Sequence, residues 1–67
     1  MLNISLNGEK RGVEEGTTLD GLLEGLMIKR QGMAVEVNRE IIPKRLYMET
    51  RLKDGDSVEI VRMAGGG

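Results

Sequence analysis

Leu19, Leu22, Leu23 and Leu26 recur at i, i+3, i+4 and i+7, the one strong helical stripe in a chain of 67 residues. A single stripe cannot bury itself. Whatever the remaining residues form must present a second apolar layer to this helix. Thr17-Thr18-Leu19-Asp20 supplies its start, with Asp20 three residues past Thr17 as in a capping box, or with Thr18 as the cap instead. Met27 lies beside the stripe. Lys29 and Arg30 suit the negative end of the helix dipole, and Gly32 suits an exit turn. Gly21 and Gly25 lie four apart on the opposite face, each costing about 1 kcal/mol relative to alanine, so that face is solvent-exposed or closely approached.

The second layer is written as strands. Leu2-Asn3-Ile4-Ser5-Leu6 alternates apolar and polar with period two, and Asn7-Gly8 follows, the dipeptide that best satisfies the two positive-φ positions of a type I′ hairpin turn. The returning Glu9 to Glu14 is mostly polar, with Lys10 and Arg11 at its middle, and reads as a protected edge strand. Met33, Val35 and Val37 alternate with Ala34, Glu36 and Asn38 to give a third strand. A turn at Asn38-Arg39 leads into Ile41-Ile42, where Pro43 removes a ladder donor and limits the strand to a short or edge position. Leu46, Tyr47 and Met48 are expected to pin an irregular crossover onto the core, with Leu52 closing it. After the turn at Lys53-Asp54-Gly55-Asp56 comes the last strand, Val58-Glu59-Ile60-Val61, with Val58 and Ile60 on one face and Glu59, Val61 and Met63 on the other.

What the chain lacks narrows the function. It has no Cys and no His, so thiolate nucleophiles, disulfides, the usual zinc sites and a Ser-His pair are excluded together. Ten Lys/Arg against eleven Asp/Glu leave a formal net charge of -1 with the signs interspersed, and Tyr47 is the lone aromatic residue. Neither a basic footprint nor a stacking platform for nucleic acid is present. The carboxylates fall in charged, turn-rich stretches and read as solvated surface rather than as acid–base catalysts. No apolar run approaches membrane-spanning length and no signal-peptide pattern opens the chain, so the expected address is the cytoplasm.

The order hairpin, helix, strand, short strand, strand sets one helix across one face of a mixed sheet of four or five strands. That is an α+β domain over 1–62, followed by a glycine-rich tail over 63–67. The arrangement looks like the β-grasp, or ubiquitin-like roll, in which the first and last strands lie side by side at the sheet centre. The last strand then runs straight into Met63-Ala64-Gly65-Gly66-Gly67. Glycine lacks Cβ, so such a stretch is narrow enough to thread into another protein's active site and offer its carboxylate as the reacting group. It is not a phosphate-binding loop, which needs a following helix N-terminus.

Several pieces in this order resemble the ThiS sulfur carriers of thiamine biosynthesis, across essentially the whole chain. They are the Asn7-Gly8 hairpin, the Leu22-Leu23 helix, Val37-Asn38 followed by Ile41-Ile42-Pro43, then Leu52, Gly55-Asp56, Val58 and the terminal Gly66-Gly67. The resemblance implies a protein co-substrate rather than an enzyme. An E1-like adenylating partner, ThiF, would use ATP and Mg²⁺ to activate the carboxylate of Gly67, the chain itself binding no cofactor or metal. A persulfide supplied through a cysteine desulfurase would convert it to a thiocarboxylate, and thiazole synthase, ThiG, would draw off the sulfur. Gly66 and Gly65 would give access, Gly65 clearance only, while Val61, Met63 and Ala64 would dock the body on its partner. Sulfur carriers of the MoaD type or of tRNA thiolation share the fold and the Gly-Gly end, and a ubiquitin-like binding module or protein modifier is the reading from another class.

Overall fold

The computed structural model of the chain describes residues 1–62. Five strands and one helix follow in the order β1 (Leu2–Leu6), β2 (Glu9–Val13), α1 (Leu19–Gly25), β3 (Met33–Val37), β4 (Glu40–Ile41) and β5 (Ser57–Arg62), with a 3₁₀ turn at Lys44–Leu46. The sheet order is β2-β1-β5-β3-β4. β1 and β5 run parallel at its centre, and the other neighbours are antiparallel. This is the β-grasp arrangement, with both hairpins turned by residue pairs in the left-handed region: Asn7 and Gly8 at φ 50° and 86°, and Asn38 and Arg39 at 51° and 70°. β2 and the two-residue β4 are the edges, as the charges of one and Pro43 after the other require.

The core lies between α1 and one sheet face. Leu19, Leu22 and Leu23 from the helix meet Ile4, Val13, Met33, Val35, Val37 and Val58 from the strands, with Tyr47 and Leu52 from the crossover. Of the three side chains expected to pin that crossover, Tyr47 is buried and Leu46 half-buried, but Met48 is 73% exposed and pins nothing. The 3₁₀ turn explains the difference, because consecutive residues of a helical turn cannot all face one way.

The helix start accounts for each of its first four backbone donors. Leu19 N–H donates to Thr50 O (2.8 Å), Asp20 N–H to Tyr47 O (3.0 Å), Gly21 N–H to the Thr18 hydroxyl oxygen (3.1 Å) and Leu22 N–H to Thr18 O (3.0 Å). Thr18 is therefore the cap and the Thr17–Asp20 capping box does not form. The donors such a box would bind are taken, Asp20 N–H by the crossover carbonyl of Tyr47 and Thr17 N–H by the carbonyl of Glu14. Asp20 instead accepts from Arg30, and this is the one ion pair among the described residues. Gly21 and Gly25 are exposed, and a Cβ built on Gly25 meets nothing within 4 Å.

The helix ends with its stripe, about a turn before the Lys29-Arg30 end and Gly32 exit expected from the sequence. Leu26 is the C-cap and Met27 adopts φ 56°. Met27 N–H donates to Glu24 O and Ile28 N–H to Leu23 O, the two bonds of a Schellman motif. Met27 is thrown outward, 89% exposed, rather than lying beside the stripe. Lys29 and Arg30 fall past the last turn, and Gly32 (φ 67°) serves the turn into β3 instead of the helix exit. The reversal brings Ile28 back to pack on the core.

Candidate functional site

β5 carries the route from the core to the proposed reactive end, and both of its flanks are held. Five residue pairs join it to β3, from Val37↔Val58 to Met33↔Arg62, while Ser5↔Ser57 and Leu6↔Val58 join it to β1. Where β1 stops, Asn7 takes over: its side-chain oxygen accepts from Ile60 N–H at 2.8 Å. The residue that makes the hairpin turn thus also extends the ladder along β5.

The start of β5 is fixed by a carboxylate that sequence reasoning assigned to solvent. Asp56 is only 9% exposed. It accepts from Lys53 N–H (2.8 Å) and from the Asn38 side-chain amide (2.9 Å), and the amide oxygen of Asn38 accepts from Ser57 N–H (3.0 Å). Asp54, at the same turn, accepts from Asn3 N–H at 2.7 Å. The network closes the β3–β4 turn onto the entry to β5. Its sequence signal was slight, because an Asp-Gly-Asp turn reads equally well as exposed.

The two faces of β5 divide as the alternation predicts. Val58 is fully buried and Ile60 half-buried against the helix layer, whereas Glu59 and Val61 face away from it, Val61 at 43% exposure. Register adds neighbours that the sequence did not identify. Ala34 lies directly opposite Val61 on β3, Glu36 opposite Glu59, and Ile41 on β4 opposite Glu36. Val61, Ala34 and Ile41 therefore share the open sheet face with two facing carboxylates. Of the residues singled out from sequence, Val61 stands on this face, while Met63, Ala64, Gly65, Gly66 and Gly67 lie outside the described residues.

Tyr47 is buried, and among the described residues no group of three or more His, Cys, Asp or Glu side chains is placed to hold a metal ion. Nor is any helix of the described residues long and apolar enough to cross a membrane. The arrangement offers a firmly held strand, an open face beside it, and a route onward from Arg62.

Comparison with known proteins places this body among relatives. The model of the ThiS family matches residues 4–67. Over 65 residues the chain is 38% identical to the sulfur carrier protein ThiS of Bacillus subtilis, covering 96% of this chain and 98% of that one. Over 66 residues it is 41% identical to a thiazole synthase of Magnetococcus marinus, covering 98% of this chain but spanning only 20% of the synthase. Among solved structures, it resembles the crystal structure of a thiamine biosynthesis protein (ThiS) from Geobacter metallireducens. There the TM-score is 0.83 at 30% identity, with 98% of this chain and all of that one covered.

Proposed function

This chain belongs to the ThiS family, and we propose that it is a sulfur carrier for thiazole formation in thiamine biosynthesis, working through the carboxylate of Gly67. It is a protein co-substrate, not an enzyme. A carboxylate oxygen is a poor leaving group. An E1-like partner using ATP and Mg²⁺ would join that carboxylate to AMP with release of pyrophosphate. The terminal sulfur of a persulfide, supplied by a cysteine desulfurase, then attacks the acyl carbon and AMP departs. A second thiol reduces the resulting acyl disulfide at its S–S bond, leaving a thiocarboxylate on Gly67 and a disulfide on the sulfur donor. Thiazole synthase takes the sulfur from there.

Each part of the chain has a place in this scheme. Gly65 and Gly66 carry no Cβ to crowd a channel shaped for bare backbone. Val61, with Met63 and Ala64, docks the body, so that burial there offsets the entropy lost when the tail is ordered. The missing Cys and His cost nothing, since the reacting atoms belong to the backbone terminus. The setting we propose is the cytoplasm.

The observation that carries the reading is the match to a thiazole synthase, a fifth of which corresponds to almost this entire chain. It favours thiazole over molybdopterin or tRNA as the acceptor. The test is the intact mass of the chain purified from cells expressing its own adenylating enzyme and sulfur source, beside a variant lacking Gly67. A fraction with one oxygen replaced by sulfur, mapped to the C-terminal peptide and absent from the truncation, is the expected result. An unmodified chain, beside an adenylating enzyme active on another carrier, overturns the proposal.

A further inference from the structure

Arg62 and the proposed reacting carboxylate of Gly67 are five residues apart. Fully extended, five residues span at most about 18 Å. On the sulfur-carrier reading, on which this inference rests, the partner's adenylation centre therefore lies within about that distance of Arg62. The end of the domain that surrounds Arg62 must then press against the rim of the partner's cleft, whatever else the open sheet face does.

That end is not flat. A depression of about 280 Å³ opens there, lined by Leu6 from the end of β1 and the polar Asn7 after it, Leu26 and Ile28 from the exit of α1, Met33 from the start of β3, and Ile60 and Arg62 from β5. Six hydrophobic residues pack on the core while remaining partly exposed, and four of them, Leu6, Leu26, Ile28 and Ile60, line this one depression. The half-buried apolar side chains that pack on the core are thus concentrated at the Arg62 end of the domain, while the more exposed Met1, Ile41, Met48 and Val61 lie outside the depression. Arg62 stands at its rim, exposed and with no ion-pair partner among the described residues.

Met27 is an independent pointer. It occupies the left-handed position of the Schellman motif between Leu26 and Ile28. Glycine is the residue that position favours, by about 1–2 kcal/mol over a side chain with Cβ. A methionine there gives up stability and projects a large apolar side chain, 89% exposed, from between two residues that line the depression. Such a choice is unreasonable for folding alone and reasonable for binding, because a thioether side chain adapts to a partner's contour.

We propose that the adenylating partner seats on this end of the domain. One of its aliphatic or aromatic side chains fills the depression, Met27 packs along it, and one of its carboxylates meets Arg62. The depression works as a register device: once it is filled, the tail enters the cleft from one direction and at one depth.

The experiment is ATP–pyrophosphate exchange by the adenylating enzyme, measured against carrier concentration for the full-length wild type, Met27→Gly and Arg62→Glu. Met27→Gly is chosen because it cannot fail for want of stability. Its melting temperature should rise by several degrees, while KM for the carrier rises about tenfold and kcat stays within twofold. Arg62→Glu should raise KM by a similar factor. Wild-type KM in both variants would overturn the docking but leave the carrier reading intact. A wild type that supports no exchange, with an enzyme active on another carrier, removes the carrier reading and this inference with it. A methyl NMR spectrum of the free chain covers one more occupant. If deleting residues 63–67 shifts the Leu26, Ile28 and Ile60 methyls, the chain's own end fills the depression and the proposal falls.

Discussion

Replacing Asp56 with alanine tests whether a single carboxylate sets the direction of β5. In the structure this side chain receives two hydrogen bonds, from Lys53 N–H and from the Asn38 amide, at 2.8 and 2.9 Å. A hydrogen bond to a charged group contributes roughly 1.5–3 kcal/mol. The site borders solvent, so the low end applies, and Asp56→Ala should cost about 3 kcal/mol. A domain of this size has a total stability of only roughly 3–10 kcal/mol. At about 4–8 °C per kcal/mol the melting temperature should fall by roughly 12–24 °C. Urea unfolding followed by circular dichroism reads the loss directly. Asp54→Ala is the internal comparison: it removes one exposed bond, to Asn3 N–H, and should cost about 1 kcal/mol. A double-mutant cycle with Asn38→Ala should give a coupling above about 0.5 kcal/mol. If Asp56→Ala lies within 0.5 kcal/mol of wild type, roughly the scatter of neutral surface changes, Asp56 is an ordinary turn residue and β5 is held by its ladders alone.

Two further outcomes follow from exposed positions. Gly25→Ala should stabilise the domain by about 1 kcal/mol, since the added Cβ meets nothing within 4 Å; a destabilised variant in thermal melts would show that this helix face is covered. Val61→Asp, on the open sheet face, should shift stability by no more than about 1 kcal/mol yet raise KM for the carrier in the adenylation assay about tenfold; an unchanged KM would show that the partner does not use this face.

Local signals in the sequence were sufficient wherever one residue type has one structural meaning. Asn7-Gly8 and Asn38-Arg39 turn where they should, the alternation in β1, β3 and β5 places the buried side chains, and Pro43 ends the short edge strand. The misread positions are those settled by distant partners. Thr17 and Thr18 are chemically equivalent as caps, and the choice between them is made by carbonyls of Tyr47 and Thr50, some thirty residues on. Met27 continues an apolar stripe by spacing, but the chain must reverse there to return Ile28 to the core. Asp56 acquires its role from Asn38, eighteen residues earlier, and no periodicity connects the two. At the candidate site, alternation alone found Val61, while Ala34 and Ile41 joined it only once strand register was known.

Positions that break local rules of stability show how such a small domain divides its labour. Met27 holds a conformation better suited to glycine, and Glu36 and Glu59 face each other across β3 and β5, where like charges directly opposite are unfavourable. Neither choice helps the fold. Both belong to surfaces outside the closed core of α1 and the inner sheet face: Met27 beside the depression at the Arg62 end, and the two carboxylates on the open face with Val61. If the chemistry is that of the proposed carrier and needs no side-chain nucleophile, the chain can keep one face and one helix for stability and release the remaining surface for recognition. Substitutions in the first set should then lower the melting temperature, and substitutions in the second should raise KM without lowering the melting temperature. Met27→Gly is the sharpest separation of the two, since it should raise stability and weaken docking at once, whereas a residue with only a structural role would move both in the same direction.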